Sequence, residues 1–209
     1  MSPLRRDQAS LTRRRIVEAS QAVFERQGYE RARVEDIAAE AGVAVPTVYK
    51  TFANKRNLLS HALRAAMTGG EGGAVDRQAW FLEQLEAPGA EEQLRLIARN
   101  ARRLYERAGQ LLEVARTAAH SHEETHALWS EINDERIARS RTSAKRLATK
   151  AELRTTIADA AHTLWALTAP ELYVLQARDA GTKPARYERW LGDVLVAAVL
   201  GAETDRRAA

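Results

Sequence analysis

The amino-acid sequence predicts an all-α protein, and three observations support this. Residues that favour helices, namely Ala, Leu, Arg, Glu and Gln, dominate the chain. Segments of helical length lie between the breaks that glycine and proline introduce. Alternating runs of β-branched residues and Asn-Gly or Asp-Gly turns, which would indicate strands and hairpins, do not occur in the sequence.

Composition narrows the class of protein. The chain has 209 residues and no cysteine, which excludes disulfides, thiolate metal sites and cysteine nucleophiles. The apolar run at 194–200 is far shorter than the roughly 18 residues of a membrane span. No apolar stretch follows the basic residues near the start, so a secretory signal is not indicated. We therefore expect a soluble cytoplasmic protein that needs no cofactor.

Charge is distributed unevenly along the chain. Residues 1–66 contain twelve Lys/Arg and seven Asp/Glu, a net charge of +5, whereas the whole chain carries +4. The remaining residues are therefore close to neutral. We call residues 1–66 the head and residues 67–209 the body. A basic head on a near-neutral body indicates contact with a polyanion at one end of the protein. Chance asymmetry on a solvated surface is the alternative that charge alone leaves open.

The first predicted helix runs from about Leu11 to Gln27 and ends at Gly28. Arginines 13, 14 and 15 crowd its first turn, where cations oppose the helix dipole. An anionic partner would explain them, and ordinary solubilising arginines are the alternative.

Residues 33–52, RVEDIAAEAGVAVPTVYKTF, contain the motif that points to function. Apolar residues at helical spacing predict a short helix from Val34 to Ala41. Gly42 permits a tight turn, and Pro46 suits the first turn of a second helix. Two short helices joined by a glycine-containing turn form a helix-turn-helix, whose second helix enters the major groove of DNA.

The second helix of this motif has two different faces. Thr47, Tyr49 and Lys50 provide hydroxyls and a cation suited to phosphate oxygens, while Val48 and Phe52 are predicted to pack inside. Asn54 is placed to cap the next helix, and its first turn carries Lys55. A generic helical hairpin with solvated polar residues is the alternative.

From about Thr12 to Leu63 the sequence resembles the TetR family of bacterial regulators. That resemblance implies an N-terminal three-helix helix-turn-helix DNA-binding domain followed by a helical ligand-binding and dimerisation domain. It implies that the helix near 45–51 reads the groove while Thr47, Tyr49, Lys50 and Lys55 hold the backbone. The matching residues are Ile16, Ala19, Phe24, Gly28-Tyr29, Val34, Ile37-Ala38, Ala41-Gly42-Val43, Thr47-Val48-Tyr49, Phe52, Lys55 and Leu58-Leu59.

Three positions depart from the family pattern. Arg33 stands where Thr or Ser is usual, Ala44 replaces Ser, and Pro46 replaces a frequent Gly. Because 44–46 offer few hydrogen bonds, apolar contacts and DNA shape are expected to carry much of the specificity. The residues assigned to DNA binding are Arg13, Arg14, Arg33, Ala44, Val45, Pro46, Thr47, Tyr49, Lys50 and Lys55.

We expect a DNA-binding domain over 1–66, with its helix-turn-helix at about 33–52. A helical effector-binding and dimerisation domain is expected over 74–202, and a flexible tail over 203–209. The Gly-rich stretch 69–73 is the predicted boundary.

Two apolar stripes near the C-terminus follow helical spacing. Either could be core, but two in succession suit a four-helix interface between subunits, and in the family the corresponding helices pair with their copies. The residues assigned to a dimer interface are Ile157, Ala161, Leu164, Trp165, Tyr187, Trp190, Leu191, Val194, Leu195 and Ala198.

The resemblance also implies a ligand cavity in the body, although aromatic residues at helical spacing can equally be core. His120, His122 and His126 could hold a metal by their spacing, but surface residence fits their surroundings better, and we assign no metal site. The candidate pocket residues are Trp80, Phe81, Leu104, Tyr105, Leu112, Trp129 and Tyr173.

The expected function is that of a homodimeric repressor that a small-molecule effector releases from a double-stranded DNA operator. Enzyme motifs such as a phosphate-binding glycine loop after a strand, G-x-S-x-G and H-E-x-x-H are absent from the sequence. We therefore expect no catalytic residues. The alternative is a helical ligand-binding or interaction module that does not bind DNA.

Overall fold

A computed structural model describes residues 3–70 and 73–200. Within these ranges the protein is all-α, which confirms the predicted class, and the one β-bridge joins Leu153 to Leu200. A 3₁₀ turn at Val75–Arg77 precedes α5, and a π-helical turn at Val174–Asp179 follows α9. The helices are α1 Pro3–Arg31, α2 Val34–Ala41, α3 Val45–Phe52, α4 Lys55–Thr68, α5 Ala79–Glu86, α6 Ala90–Ala118, α7 Glu123–Ala148, α8 Ile157–Leu167, α9 Pro170–Tyr173 and α10 Pro184–Val199.

The first helix is longer than the sequence indicates. It begins at Pro3, because the missing N–H of a proline costs nothing in a first turn, and it continues to Arg31. Gly28 interrupts it with φ 74° and ψ 172°, so the predicted stop is a kink followed by one further turn. Ile16, Val23 and Phe24 form one apolar face of this helix and are fully buried.

Helices α2 and α4 pack on α1, and α3 packs on α2 and α4, as in a helix-turn-helix head. Val34, Ile37, Ala38 and Ala41 of α2 are buried, as the spacing predicts. The side chain of Asn54 accepts a hydrogen bond from the N–H of Asn57 at 2.8 Å, which caps α4 as predicted.

Contacts divide the chain into two compact units that do not follow the linear division expected from the sequence. The first unit holds the described residues up to Gly73 together with Arg107–Glu131. The second holds Ala74–Glu106 and the described residues from Ile132 onward. Helices α6 and α7 therefore each contribute to both units. The expected tail, 203–209, lies outside the described residues.

The second unit has a core formed by α5, α8, α10 and parts of α6 and α7. Leu94, Leu147, Tyr187 and Leu191 are among its fully buried side chains. Arg102 of α6 pairs with Glu188 of α10 at 2.5 Å and joins these helices. Thr156 caps α8, since its hydroxyl accepts a bond from the N–H of Asp159 at 3.1 Å.

Candidate nucleic-acid interface and body cavity

The turn between α2 and α3 is a tight helix-ending motif centred on Gly42. This residue has φ 63° and ψ 42°, in the left-handed region that favours glycine. Its N–H donates to the carbonyl of Ala39 at 3.1 Å, and the N–H of Val43 donates to that of Ala38 at 3.0 Å. These two bonds form a Schellman motif, which closes α2 and directs the chain into α3.

Helix α3 is amphipathic, with its polar side chains at the surface. Val48 and Phe52 are buried, whereas Tyr49 is 47% exposed and Lys50 is also exposed. Thr47 is half-buried. The predicted separation of faces is therefore present, and the hydroxyl and ammonium groups of α3 are open to a partner.

The start of α3 is also open. Ala44 and Pro46 are exposed and Val45 is half-buried. Ala44 stands at the N-cap with extended backbone and makes no side-chain cap bond, as its methyl side chain dictates. Arg14 and Arg33 are exposed. The start of α3 and the polar face of the same helix are therefore both exposed to solvent.

Lys55 is engaged inside the head. Its ammonium donates to the carbonyl of Ala32 at 3.1 Å and to that of Glu30 at 3.4 Å, and it lies 4.4 Å from the ring centre of Tyr29. Burial lowers the pKa of Lys55, while Glu124 and Glu30 act in the opposite direction. These contacts give the cation a structural role at the end of α1, and its assignment to a phosphate contact stays a prediction.

Arg13 is also engaged within the head. Its guanidinium lies 4.6 Å from the ring centre of Phe52 and 3.0 Å from Nε2 of His61. It also donates to the carbonyl of Thr51 at 3.5 Å. Arg13 therefore joins α1 to the end of α3 and to α4, although it is exposed to solvent.

A cluster that the sequence did not predict ties the head to the start of α7 within the first unit. The hydroxyl of Tyr29 donates to Glu124 at 2.6 Å, and Arg56 pairs with Glu131 at 2.8 Å. Burial and Glu124 together raise the pKa of the Tyr29 phenol well above its usual range. Because the partners are 95 and 75 residues apart, no local pattern signals these contacts.

The second unit contains a partly open cavity of about 90 Å³. Four of the seven predicted pocket residues line it: Trp80, Phe81, Leu104 and Tyr105. Tyr173 does not line the cavity, but its ring centre lies 5.8 Å from that of Tyr105, which does. Leu112 and Trp129 belong to the other compact unit, so they do not line this cavity.

The cavity also has polar walls that the sequence analysis missed. The Asn100 side chain donates to the carbonyl of Trp80 at 3.1 Å and to Oε1 of Gln84 at 3.0 Å. Arg136 and Arg139 of α7 line the opposite side. Their spacing places them on one helix face, but a pattern of charges on a long helix ordinarily indicates a solvated surface.

The two C-terminal stripes combine core and surface positions. Half of the ten residues assigned to a dimer interface are buried within the subunit, because the stripes pack α8 and α10 together. Ile157 is 43% exposed, and Trp165, Trp190, Val194 and Ala198 are half-buried. The buried members are Ala161, Leu164, Tyr187, Leu191 and Leu195.

Two other features bear on the kind of site. Among the described residues, no group of three or more His, Cys, Asp and Glu side chains is arranged to hold a metal ion. His120 and His122 instead meet the carbonyl of Arg116 and the ring of Tyr29, respectively. No helix in the described ranges has both the length and the apolar character to span a membrane.

Comparison with known proteins places the head in a sequence family. The family model described as "Bacterial regulatory proteins, tetR family" matches residues 16–62. Over 68 residues the chain is 34% identical to YezE of Bacillus subtilis (strain 168), an uncharacterised HTH-type transcriptional regulator. That match covers 32% of this chain and 31% of YezE, so it spans about a third of the relative.

Solved structures extend the likeness over both units as a likeness of fold. A transcriptional regulator from Saccharomonospora viridis, crystallised with choline, is 21% identical with a TM-score of 0.71, covering 92% of this chain and 99% of that one. SmeT, a repressor from Stenotrophomonas maltophilia solved with triclosan, is 19% identical with a TM-score of 0.71, covering 92% and 93%.

Proposed function

Because residues 16–62 match the TetR family of bacterial regulatory proteins, we propose that the chain is a homodimeric transcriptional repressor that a small molecule releases from DNA. The observation that carries this proposal is the exposed polar face of α3 behind the tight turn at Gly42. A short helix presented in this way is the element that a helix-turn-helix protein inserts into the major groove.

On this proposal the contacts to DNA fall into two groups. Thr47, Tyr49 and Lys50 bind phosphate oxygens and hold the helix in place. Ala44 to Pro46, with Val45 between them, meet the edges of the bases and read them through apolar contacts and DNA shape. The arginines 14 and 33 are exposed and add positive charge to the head.

Arg13 and Lys55 act mainly as positioning residues. Their cations donate hydrogen bonds to carbonyls and lie against aromatic rings within the head. These contacts hold α1, α3 and α4 in place relative to one another. Moving either one to a phosphate would break those bonds. We therefore assign DNA binding first to the exposed groups of α3, and we keep residues 1–66 as the proposed DNA-binding domain.

A second copy of the chain completes the site. One helix of eight residues contacts too few bases for specific binding, whereas two heads can read two half-sites. The surface for pairing is the half-exposed part of α8 and α10, with Ile157, Trp165, Trp190 and Val194 at its centre. Burial of such aromatic and aliphatic side chains drives association.

The effector site of this proposal is the cavity of the second unit. Two proteins of similar fold were solved with the small molecules choline and triclosan. These complexes support a ligand-binding role for the second unit of this chain. We further propose that the protein is not an enzyme and that it acts in the cytoplasm, where its DNA partner would lie. The alternative, a ligand-binding module without DNA binding, would use this cavity alone.

Selection from a pool of random DNA duplexes tests the proposal without knowledge of the operator. We expect enrichment of a sequence with two inverted half-sites whose centres are about 10 base pairs, or a multiple of that, apart. Size-exclusion chromatography with light scattering should show the free protein as a dimer. A folded protein that enriches no sequence would favour the module without DNA binding.

A further inference from the structure

The side chains that line the cavity of the second unit carry a net positive charge. Arg136, Arg139, Ser140 and Ser143 recur along α7 at a spacing that places them on one face, and all four line the cavity. Among the described residues that line it, none carries a carboxylate. Two arginines therefore line a partly open cavity whose walls are apolar over the larger part of their area.

Arg139 is largely withdrawn from water. Its side chain is 16% exposed, and it pairs with Glu135 at 3.5 Å, the one carboxylate that it meets in the described part of the chain. Burial lowers the pKa of Arg139, while Glu135 raises it, although the guanidinium stays protonated. A guanidinium has five N–H donors, and this long single contact leaves most of them for another acceptor.

Arg136 is bonded to neutral groups. It donates to the carbonyls of Trp165 and Thr168 at 2.9 and 3.1 Å, and to the side chain of Asn133 at 2.9 Å. These bonds fix the guanidinium at the end of α8 but do not neutralise its charge. The hydroxyl of Tyr105 donates to the same Thr168 carbonyl, which places a phenol beside the two arginines.

The net charge of the side chains at this end of the cavity determines which charge a ligand should carry. Two guanidinium groups and the carboxylate of Glu135 leave one net positive charge. Glu171 also acts on Tyr105, but its side chain is exposed, and water screens its field. A ligand with a single negative charge would therefore neutralise the site, whereas a cation would meet repulsion.

The remaining walls and the volume define the rest of the ligand. The cavity of about 90 Å³ has room for a few waters, each of which occupies roughly 30 Å³ in the liquid. It is smaller than the typical drug-sized pocket. The apolar side chains at the other end are Trp80, Phe81, Ile97, Leu104 and Leu164.

We propose that the effector cavity binds a compact monocarboxylate, with its carboxylate between Arg136 and Arg139 and its apolar body against Trp80 and Phe81. This inference rests on the proposed function only in treating the cavity as the effector site. Charge-assisted bonds to a guanidinium are short and about twice as strong as neutral ones, so they discriminate a carboxylate from its uncharged analogues.

Calorimetric titration of the full-length protein without DNA tests this inference. The probes are propionate and butyrate, each compared with its neutral amide, and propylamine as the cation. We expect one or both carboxylates to bind at least about tenfold more tightly than the amides. Propylamine should show no binding.

Two variants of α7 provide the matched comparison. Arg139→Met should abolish the preference for carboxylate over amide, and it should fold, because Glu135, the carboxylate that it leaves without this contact, is 38% exposed and stays hydrated. Arg141→Met, an exposed arginine two residues away, should retain the preference. Circular dichroism of both variants would establish that the helices are intact.

Three results would overturn the inference: equal affinity for carboxylates and amides, an unchanged preference in Arg139→Met, or no binding of either carboxylate. The selection from random duplexes is independent of these titrations. If carboxylates bind but no DNA sequence is enriched, the regulator proposal fails and the ligand class stands. The opposite pair of results would leave the regulator and remove the ligand class.

Discussion

Tyr29 shows how a single residue can bind distant parts of this chain together. Its phenol donates to Glu124 at 2.6 Å, and its ring packs against Phe24 and His122. The Lys55 ammonium lies over the same ring. The tyrosine thus joins the end of α1, the start of α4 and the start of α7 within the first unit.

Tyr29→Phe tests this role at the residue scale. The variant keeps the ring but removes a bond to a charged acceptor, so we expect a loss of about 1–2 kcal/mol in the free energy of unfolding. Urea denaturation followed by circular dichroism measures this loss. Tyr49→Phe is the matched control, because Tyr49 is 47% exposed and its hydroxyl should contribute little to stability. Equal stability of both variants would contradict this role.

The sequence predicted the surroundings of some site residues better than others. The separation of Tyr49 and Lys50 from Val48 and Phe52 follows from helical periodicity, and the structure has it. The internal bonds of Lys55 do not follow from periodicity, because its acceptors lie more than twenty residues away. A cation near a helix start is compatible with either phosphate or carbonyl partners until the fold is known.

At the scale of elements, α3 and α4 differ in how they begin. Asn54 caps α4 with its side chain, whereas Ala44 at the start of α3 has the same extended backbone and no cap bond. The first amides of α3 therefore lack the side-chain partner that α4 has. Helix α3 therefore begins without the side-chain cap that stabilises the start of α4.

Adding a cap to α3 and removing the cap of α4 should change the free energy of unfolding in opposite directions. Ala44→Ser introduces a hydroxyl that can accept a bond from an α3 amide, and we expect a gain of about 1 kcal/mol in the free energy of unfolding. Asn54→Ala removes the existing cap of α4 and should cost about 1 kcal/mol. Thermal and urea unfolding measure both. Destabilisation by Ala44→Ser would show that the start of α3 has no room for a cap.

The C-terminal helices illustrate why a periodic stripe identifies an element but not its partner. The spacing of Tyr187, Leu191 and Leu195 correctly predicts a helix with an apolar face. These residues are buried within the subunit, whereas Trp190 and Val194 of the same helix remain half-buried. Core and interface both require apolar side chains, so composition cannot separate them.

For the whole molecule, local patterns predicted the class of fold and the order of helices in the head. They did not predict that residues 107–131 cluster with the head, since that grouping depends on contacts between distant segments. The arginines of the cavity were missed for the same reason. Arg136 and Arg139 look like surface charges until α5, α6 and α8 are seen to surround them.

The most direct test of the central claim, that α3 docks on DNA through its exposed face, is the salt dependence of operator affinity. Fluorescence anisotropy with the selected duplex should show affinity falling linearly with salt on logarithmic axes. Lys50→Ala should weaken binding to all sequences alike and reduce the slope by about 1, because the variant neutralises one phosphate fewer. Lys145→Ala, an exposed lysine at the end of α7, should match the unaltered protein. Identical affinity and slope for Lys50→Ala and the unaltered protein would contradict the proposed docking of α3.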